Sequence, residues 1–128
     1  LIIDIGTCIT YDIVTMNKKY LGGSISPGFN LRYSSLSDRT SNLPKLEFKI
    51  PKSLIGDSTE EHIHAGIYYG IIGEISYNIE RQKVRFPNIE IIVSGGVCSF
   101  LLNKVKNVIF ADQDFLAHGL NHILQTNS

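Results

Sequence analysis

Apolar and polar positions divide the chain into short, readable runs. Residues 1–5 form an apolar run that Asp4 interrupts just before Gly6, the pattern of a buried strand entering a turn. Residues 9–15 are β-branched and aromatic and predict a second strand. The polar Met16-Asn17-Lys18-Lys19 then predicts a turn, and residues 20–25 a third strand. Three strands joined by tight connections make an antiparallel meander. Pro27-Gly28 breaks the chain, and residues 29–41 predict a helix with Leu31 and Leu36 inside it. Residues 42–55 carry Pro44 and Pro51 and no clear period, which reads as a loop with one edge strand at 46–48.

The strongest periodic signal begins at Ser58. Ser58-x-x-Glu61 predicts a capping box, in which the Ser and Glu side chains each satisfy an orphan backbone donor. Ile63, Ile67, Ile71, Ile75 and Ile79 then recur every four residues, with Tyr68 and Ile72 widening the stripe. Gly66, Gly70 and Gly73 would each cost about 1 kcal/mol in a helix interior. Three of them suggest the close approach of another backbone, either in the core or across a subunit interface. Beyond Pro87, residues 89–93 predict a buried strand, Ser94-Gly95-Gly96 a turn, and 97–102 a short helix. A last strand follows at 105–110 and a last helix at 112–124, with Phe115, Leu116, Leu120 and Ile123 facing inward. The order β-β-β-α-α-β-α-β-α is an α/β layer of mixed strand direction, because the later strands need helical crossovers.

Composition narrows the function classes. A length of 128 residues is room for one domain. Twelve Lys plus Arg balance twelve Asp plus Glu, and they are dispersed, which argues against a general nucleic-acid surface. At 43% hydrophobic and 19% charged, the chain is too apolar for disorder. No apolar run is long enough to span a bilayer, no signal-like segment opens the chain, and Cys8 and Cys98 form no CxxC pair. A reduced, cytoplasmic protein without membrane attachment is expected. The first residue already lies in an apolar run without an initiator Met, so an upstream segment is expected as well.

Several positions carry candidate chemistry. Asp4-Ile5-Gly6-Thr7 closes the first strand; a Gly-Thr turn lets a phosphate meet backbone amides and a hydroxyl, and the carboxylate can hold a cation beside it. A plain hairpin with Asp4 capping the turn uses the same residues. Ser94-Gly95-Gly96 opens a helix after a buried strand, which suits either a phosphate or simply a sharp turn. Gly22-Gly23 and Pro27-Gly28 mark tightly shaped backbone. Thr59 stands at the first helical position, where free donors face outward, or where a plain helix begins. His62 and His64 lie on different helix faces. His118 and His122, with Asp114 a turn earlier, share a face that reads better as solvated surface than as a metal site. Glu60-Glu61 and Asp112/Asp114 suit helix N-termini, and Arg81, Lys83 and Arg85 a solvated helix end.

Taken together the motifs are more specific. A strand ending in Asp-x-Gly-Thr, a hairpin bearing Thr10 and Asp12, Gly-Gly-x-Ile-x-Pro-Gly, Arg39-Thr40 before Leu43-Pro44, the Thr59 helix start and Ser-Gly-Gly follow in order. With the closing Asp114-Phe115-Leu116-Ala117-His118-Gly119-Leu120, they resemble the second half of the type III pantothenate kinase family over residues 2–124. That family belongs to the sugar kinase/Hsp70/actin superfamily. The resemblance implies an α/β, ribonuclease-H-like domain, one half of an actin-like ATPase fold. It has a mixed sheet, an antiparallel three-stranded meander and flanking helices. Residues 1–128 would be the C-terminal domain of a two-domain kinase whose N-terminal domain is absent from this chain.

The implied activity is ATP-dependent phosphorylation of pantothenate to 4'-phosphopantothenate, the first step toward coenzyme A, by a cytoplasmic homodimer. K+ or NH4+ is implied as a cofactor, together with Mg2+ on ATP. By position, Asp4 would ligate the monovalent cation. Gly6, Thr7, Thr10, Gly95 and Gly96 would contact ATP, and Thr59 would reach pantothenate across the dimer interface. The family's Asp-x-Gly-Asn-Thr motif and its Gly-x-Asp-Arg segment, which carries the general-base aspartate, are not in this chain. The 128 residues alone are therefore expected to be inactive. Asp57-Ser58-Thr59 replaces the commoner Arg-Asn-Thr, and Cys8 a common Ala. Two other readings are a non-catalytic binding or regulatory protein of this fold, and a sugar or carboxylate kinase of the same superfamily.

Overall fold

The computed structural model describes residues 1–96, 98–101, 104–105, 108–110 and 114–127. Strands β1 (Ile2–Ile5), β2 (Cys8–Val14) and β3 (Tyr20–Pro27) form the expected antiparallel meander. Helices α1 (Phe29–Arg39) and α2 (Thr59–Arg85) lead to β4 (Ile92–Ser94), which pairs parallel to β1. A 3-10 turn at Cys98–Leu101 precedes β5 (Ile109–Phe110), parallel to β4, and helix α3 (Phe115–Thr126) closes the chain. The sheet order is β3-β2-β1-β4-β5. This is a mixed, five-stranded α/β sheet with flanking helices.

The core forms where the two periodicities meet. Ile3, Ile5, Ile9, Tyr11 and Ile13 are alternate residues of β1 and β2, and all are buried on one sheet face. Against them pack Phe29 and Tyr33 of α1 and the five isoleucines Ile63, Ile67, Ile71, Ile75 and Ile79 of α2. Tyr33 donates or accepts one hydrogen bond with His64 Nδ1 at 2.6 Å, which satisfies both groups inside the core. His62, by contrast, is exposed and its ring meets the Gly56 carbonyl.

Four expectations need correction. Residues 46–48 form no strand; the Phe48 ring instead packs edge-on against Phe29 at 4.5 Å, so aromatic burial rather than a ladder holds this segment. Only half of the capping box forms. Ser58 Oγ accepts from the Glu61 N–H at 3.3 Å, while the Glu61 carboxylate pairs with Lys49 of the neighbouring segment. Gly66, Gly70 and Gly73 are exposed, and among the described residues no backbone from outside α2 comes within 4 Å of where their Cβ atoms would lie, so core packing does not explain them. Finally, the stripe on α3 does not face inward: Leu116, Leu120 and Ile123 are 59%, 63% and 56% exposed. An apolar stripe defines a face without supplying its partner.

Other boundaries shift by a few residues. The strand expected at 89–93 runs Ile92–Ser94, and that at 105–110 is Ile109–Phe110. Asp112, Val97, Leu102 and the side chain of Cys98 lie outside the described residues. Cys8 is a free, half-buried thiol.

Candidate functional site

The alternation that buries Ile3 and Ile5 turns Asp4 to the opposite face of the sheet. Strand register then decides its neighbours. Asp4 pairs with Thr10 of β2 on one side and with Ser94 of β4 on the other, and Ile25 of β3 lies beyond Thr10. A half-buried carboxylate thus sits in a row with two hydroxyl residues, and among the described residues nothing hydrogen-bonds or ion-pairs with it. An acidic oxygen flanked by neutral oxygens is a donor set suited to a hard cation. No group of three or more His, Cys, Asp or Glu able to hold a metal occurs among the described residues.

One residue beyond β1, Gly6 and Thr7 form an exposed turn closed by Gly6 N–H to Cys8 O at 3.0 Å. Two glycine loops lock onto it from either side. Gly28 donates its N–H to Thr7 O at 2.9 Å, and a Cβ at Gly28 would overlap the carbonyl oxygens of Gly6 and Thr7. Gly95 has φ +110°, and a Cβ there would overlap the backbone of Ile5. At Gly6 itself the nearest atom to a Cβ position is Cys8 O at 3.9 Å, so the turn is open to approach. The site lies at the carboxyl ends of the parallel pair β1 and β4, where open α/β sheets place ligands.

The structure therefore brings Asp4, Gly6, Thr7, Thr10 and Gly95 together, with Gly96 following on the same loop. Thr59 stands apart. The C-terminus of α2 lies at the Leu1 end of β1, where Arg85 and Phe86 line one groove with Leu1 and Ile2. Its N-terminus therefore points toward the Gly6–Thr7 end, yet among the described residues no hydrogen bond joins exposed Thr59 to that turn. A cleft of about 560 Å³ opens beside Thr7, between α1 (Asn30, Tyr33, Ser34) and Lys45 and Phe48.

The sequence reading missed a polar hub behind the turn. Glu74 of α2 accepts from Tyr11 Oη at 2.7 Å and Ser26 Oγ at 2.5 Å, and pairs with Arg32 at 2.5 Å. Burial alone would raise the Glu74 carboxyl. The hydrogen bonds from Ser26, Tyr11 and Arg32 and the guanidinium charge outweigh it and hold the group below its ordinary range. Burial, and then the Glu74 contact, push the Tyr11 phenol far above its own range, so it remains a donor. The available signal was a lone carboxylate between Ile71 and Ile75, at the flank of the buried stripe. Ser94 was also missed as a neighbour of Asp4, because only strand register brings the two side by side.

A mixed sheet whose strand ends present an open Gly-Thr turn, clamped by two glycine loops beside a carboxylate, defines an α/β protein with a candidate ligand site at that turn. Comparison with known proteins gives the particular family. The type III pantothenate kinase family profile matches residues 1–81, and the chain belongs to that family. It is 46% identical over 125 residues to the type III pantothenate kinase of Flavobacterium johnsoniae and 48% identical over 127 residues to that of Christiangramia forsetii. These alignments cover 98% and 99% of this chain but 51% and 52% of the relatives. The chain thus spans about half the length of the curated relatives it matches. A solved structure from Campylobacter jejuni, provisionally described as a conserved Baf family transcriptional activator, superposes with a TM-score of 0.66. It is 27% identical, covering 98% of this chain and 57% of that one. No helix among the described residues is long and apolar enough to cross a membrane.

Proposed function

We propose that this chain is the C-terminal, ribonuclease-H-like half of a cytoplasmic, homodimeric pantothenate kinase that moves the γ-phosphoryl group of ATP to the primary hydroxyl of pantothenate. The observation that carries this reading is the convergence of the Pro27-Gly28 and Gly95 loops on the Gly6–Thr7 turn beside Asp4. An open glycine turn with a hydroxyl offers donors to phosphate oxygens without a side chain in the way. The antiparallel meander followed by parallel β4 and β5 supports the ribonuclease-H-like assignment.

In this reading Thr7, Gly6 and Thr10 orient the phosphates, and Gly95 and Gly96 border the adenosine. Asp4 holds K+ or NH4+, with Thr10 and Ser94 as its oxygen neighbours. Mg2+ would be carried by the nucleotide, and the two cations would supply positive charge beside the phosphates that these residues orient. Thr59 reaches pantothenate across the dimer interface. The general base that takes the hydroxyl proton comes from outside these 128 residues, so the isolated chain is expected to show no turnover. The exposed Gly66 and Gly73 support a second subunit as the missing neighbour of α2.

The test is pantothenate phosphorylation by the product of the intact reading frame, with ATP and Mg2+, first in potassium and then in sodium. Potassium-dependent activity that falls on Asp4→Asn supports both the reaction and the cation role. An inactive protein whose frame does carry an upstream Gly-x-Asp-Arg would overturn the kinase in favour of a regulatory binding protein. Preference for a sugar or another carboxylate over pantothenate in competition would reassign the substrate.

A further inference from the structure

We propose that Arg32 and Glu74 are positioning residues for the nucleotide-binding turn, acting through the single peptide group between Pro27 and Gly28. The inference rests on the reading of Gly6–Thr7 as the phosphate contact. That peptide group is held at both ends. Its carbonyl accepts from Arg32 Nε at 2.8 Å, and its N–H donates to Thr7 O at 2.9 Å. A cationic donor on the carbonyl polarises the amide and strengthens the N–H as a donor. The Thr7 carbonyl is occupied by the Gly28 N–H, and the Gly6 carbonyl also lies against Gly28, which is buried.

Arg32 is itself fixed. Its Nη2 meets Glu74 Oε2, while Glu74 Oε1 accepts from Tyr11 of β2 and Ser26 of β3. The sheet therefore sets the carboxylate, the carboxylate sets the guanidinium, and the guanidinium sets the peptide that braces the turn. Gly70, one helical turn before Glu74, lies beside the guanidinium: a Cβ there would be 3.8 Å from Arg32 Nη1, in ordinary van der Waals contact. Only a planar fork reaches Glu74 and the Pro27 carbonyl at once, so lysine keeps the charge and loses the geometry.

The experiment uses the product of the intact reading frame. Arg32→Lys is expected to speed amide exchange at Gly28 about tenfold, the equivalent of one lost hydrogen bond to a charged group, with Ile3 and Ile5 still protected. The same variant is expected to raise the KM for ATP about tenfold and to leave that for pantothenate within about twofold. Ile79→Val, a core change on α2 outside this relay, is expected to lower the melting temperature comparably while leaving the ATP KM within about twofold. Unchanged Gly28 exchange in Arg32→Lys overturns the inference, and so does faster exchange with an unmoved ATP KM. An Ile79→Val variant that raises the ATP KM as much also overturns it, since general loosening would then suffice. A wild-type protein that neither binds nor uses ATP overturns the functional reading, and it is told apart because the Gly28 comparison needs no nucleotide.

Discussion

A methyl group at Gly28 would overlap the carbonyls of Gly6 and Thr7, and one at Gly95 would overlap the backbone of Ile5. Gly28→Ala and Gly95→Ala are each expected to cost more than about 1 kcal/mol in urea unfolding. Gly96→Ala, where among the described residues nothing beyond the chain neighbours lies within 4 Å of a Cβ, is expected to stay within about 0.5 kcal/mol. Three adjacent-looking glycine positions thus separate into two with structural necessity and one without, and no sequence pattern distinguishes them. Glu74 makes the pH prediction. Its folded value lies below the ordinary 4.5, so its contribution is complete above that pH and is lost as pH falls through the folded value. Glu74→Gln is expected to flatten this acid limb in urea titrations between about pH 3 and pH 7. An unchanged limb would mean the Arg32 contact does not favour the carboxylate.

At the scale of elements, α2 is the most legible part of the chain. Its five buried isoleucines fall where the four-residue recurrence places them, because one face of a long amphipathic helix must meet the sheet. Ile75, with no exposed surface, is expected to cost roughly 2–5 kcal/mol on replacement by alanine, measured by denaturant unfolding. The opposite face makes a different prediction. Among the described residues nothing outside the helix's own backbone lies within 4 Å of a Cβ at Gly66, so folding should survive Gly66→Leu, whereas a dimer packed on that face should sediment as monomers. A variant that stayed dimeric would move the subunit contact elsewhere. Gly70 is less suitable for this test, because Arg32 lies beside it. The element expected at 46–48 failed for a physical reason: aromatic residues favour strands and also favour ring packing, and the Phe29 contact decided between them.

Across the whole molecule, apolar surface remains uncovered on α3 and on the sheet face that carries Asp4, where Ile25 is 75% exposed. Leu120→Lys is expected to leave the unfolding free energy of the 128-residue chain within about 0.5 kcal/mol; a larger loss would show that α3 packs on the domain after all. By itself, the sequence determined the meander, the long helix, the α/β class and the identity of the turn residues. Each of these follows from local periodicity and from backbone rules that act within a few positions. Tertiary structure decided which residues meet. It set Asp4 between Thr10 and Ser94, seated Gly28 and Gly95 on the turn, and joined Glu74 to Arg32, Tyr11 and Ser26 across four elements. Those contacts depend on strand register and helix docking, which arise from burial summed over the whole core and leave no local mark at the residues they bring together.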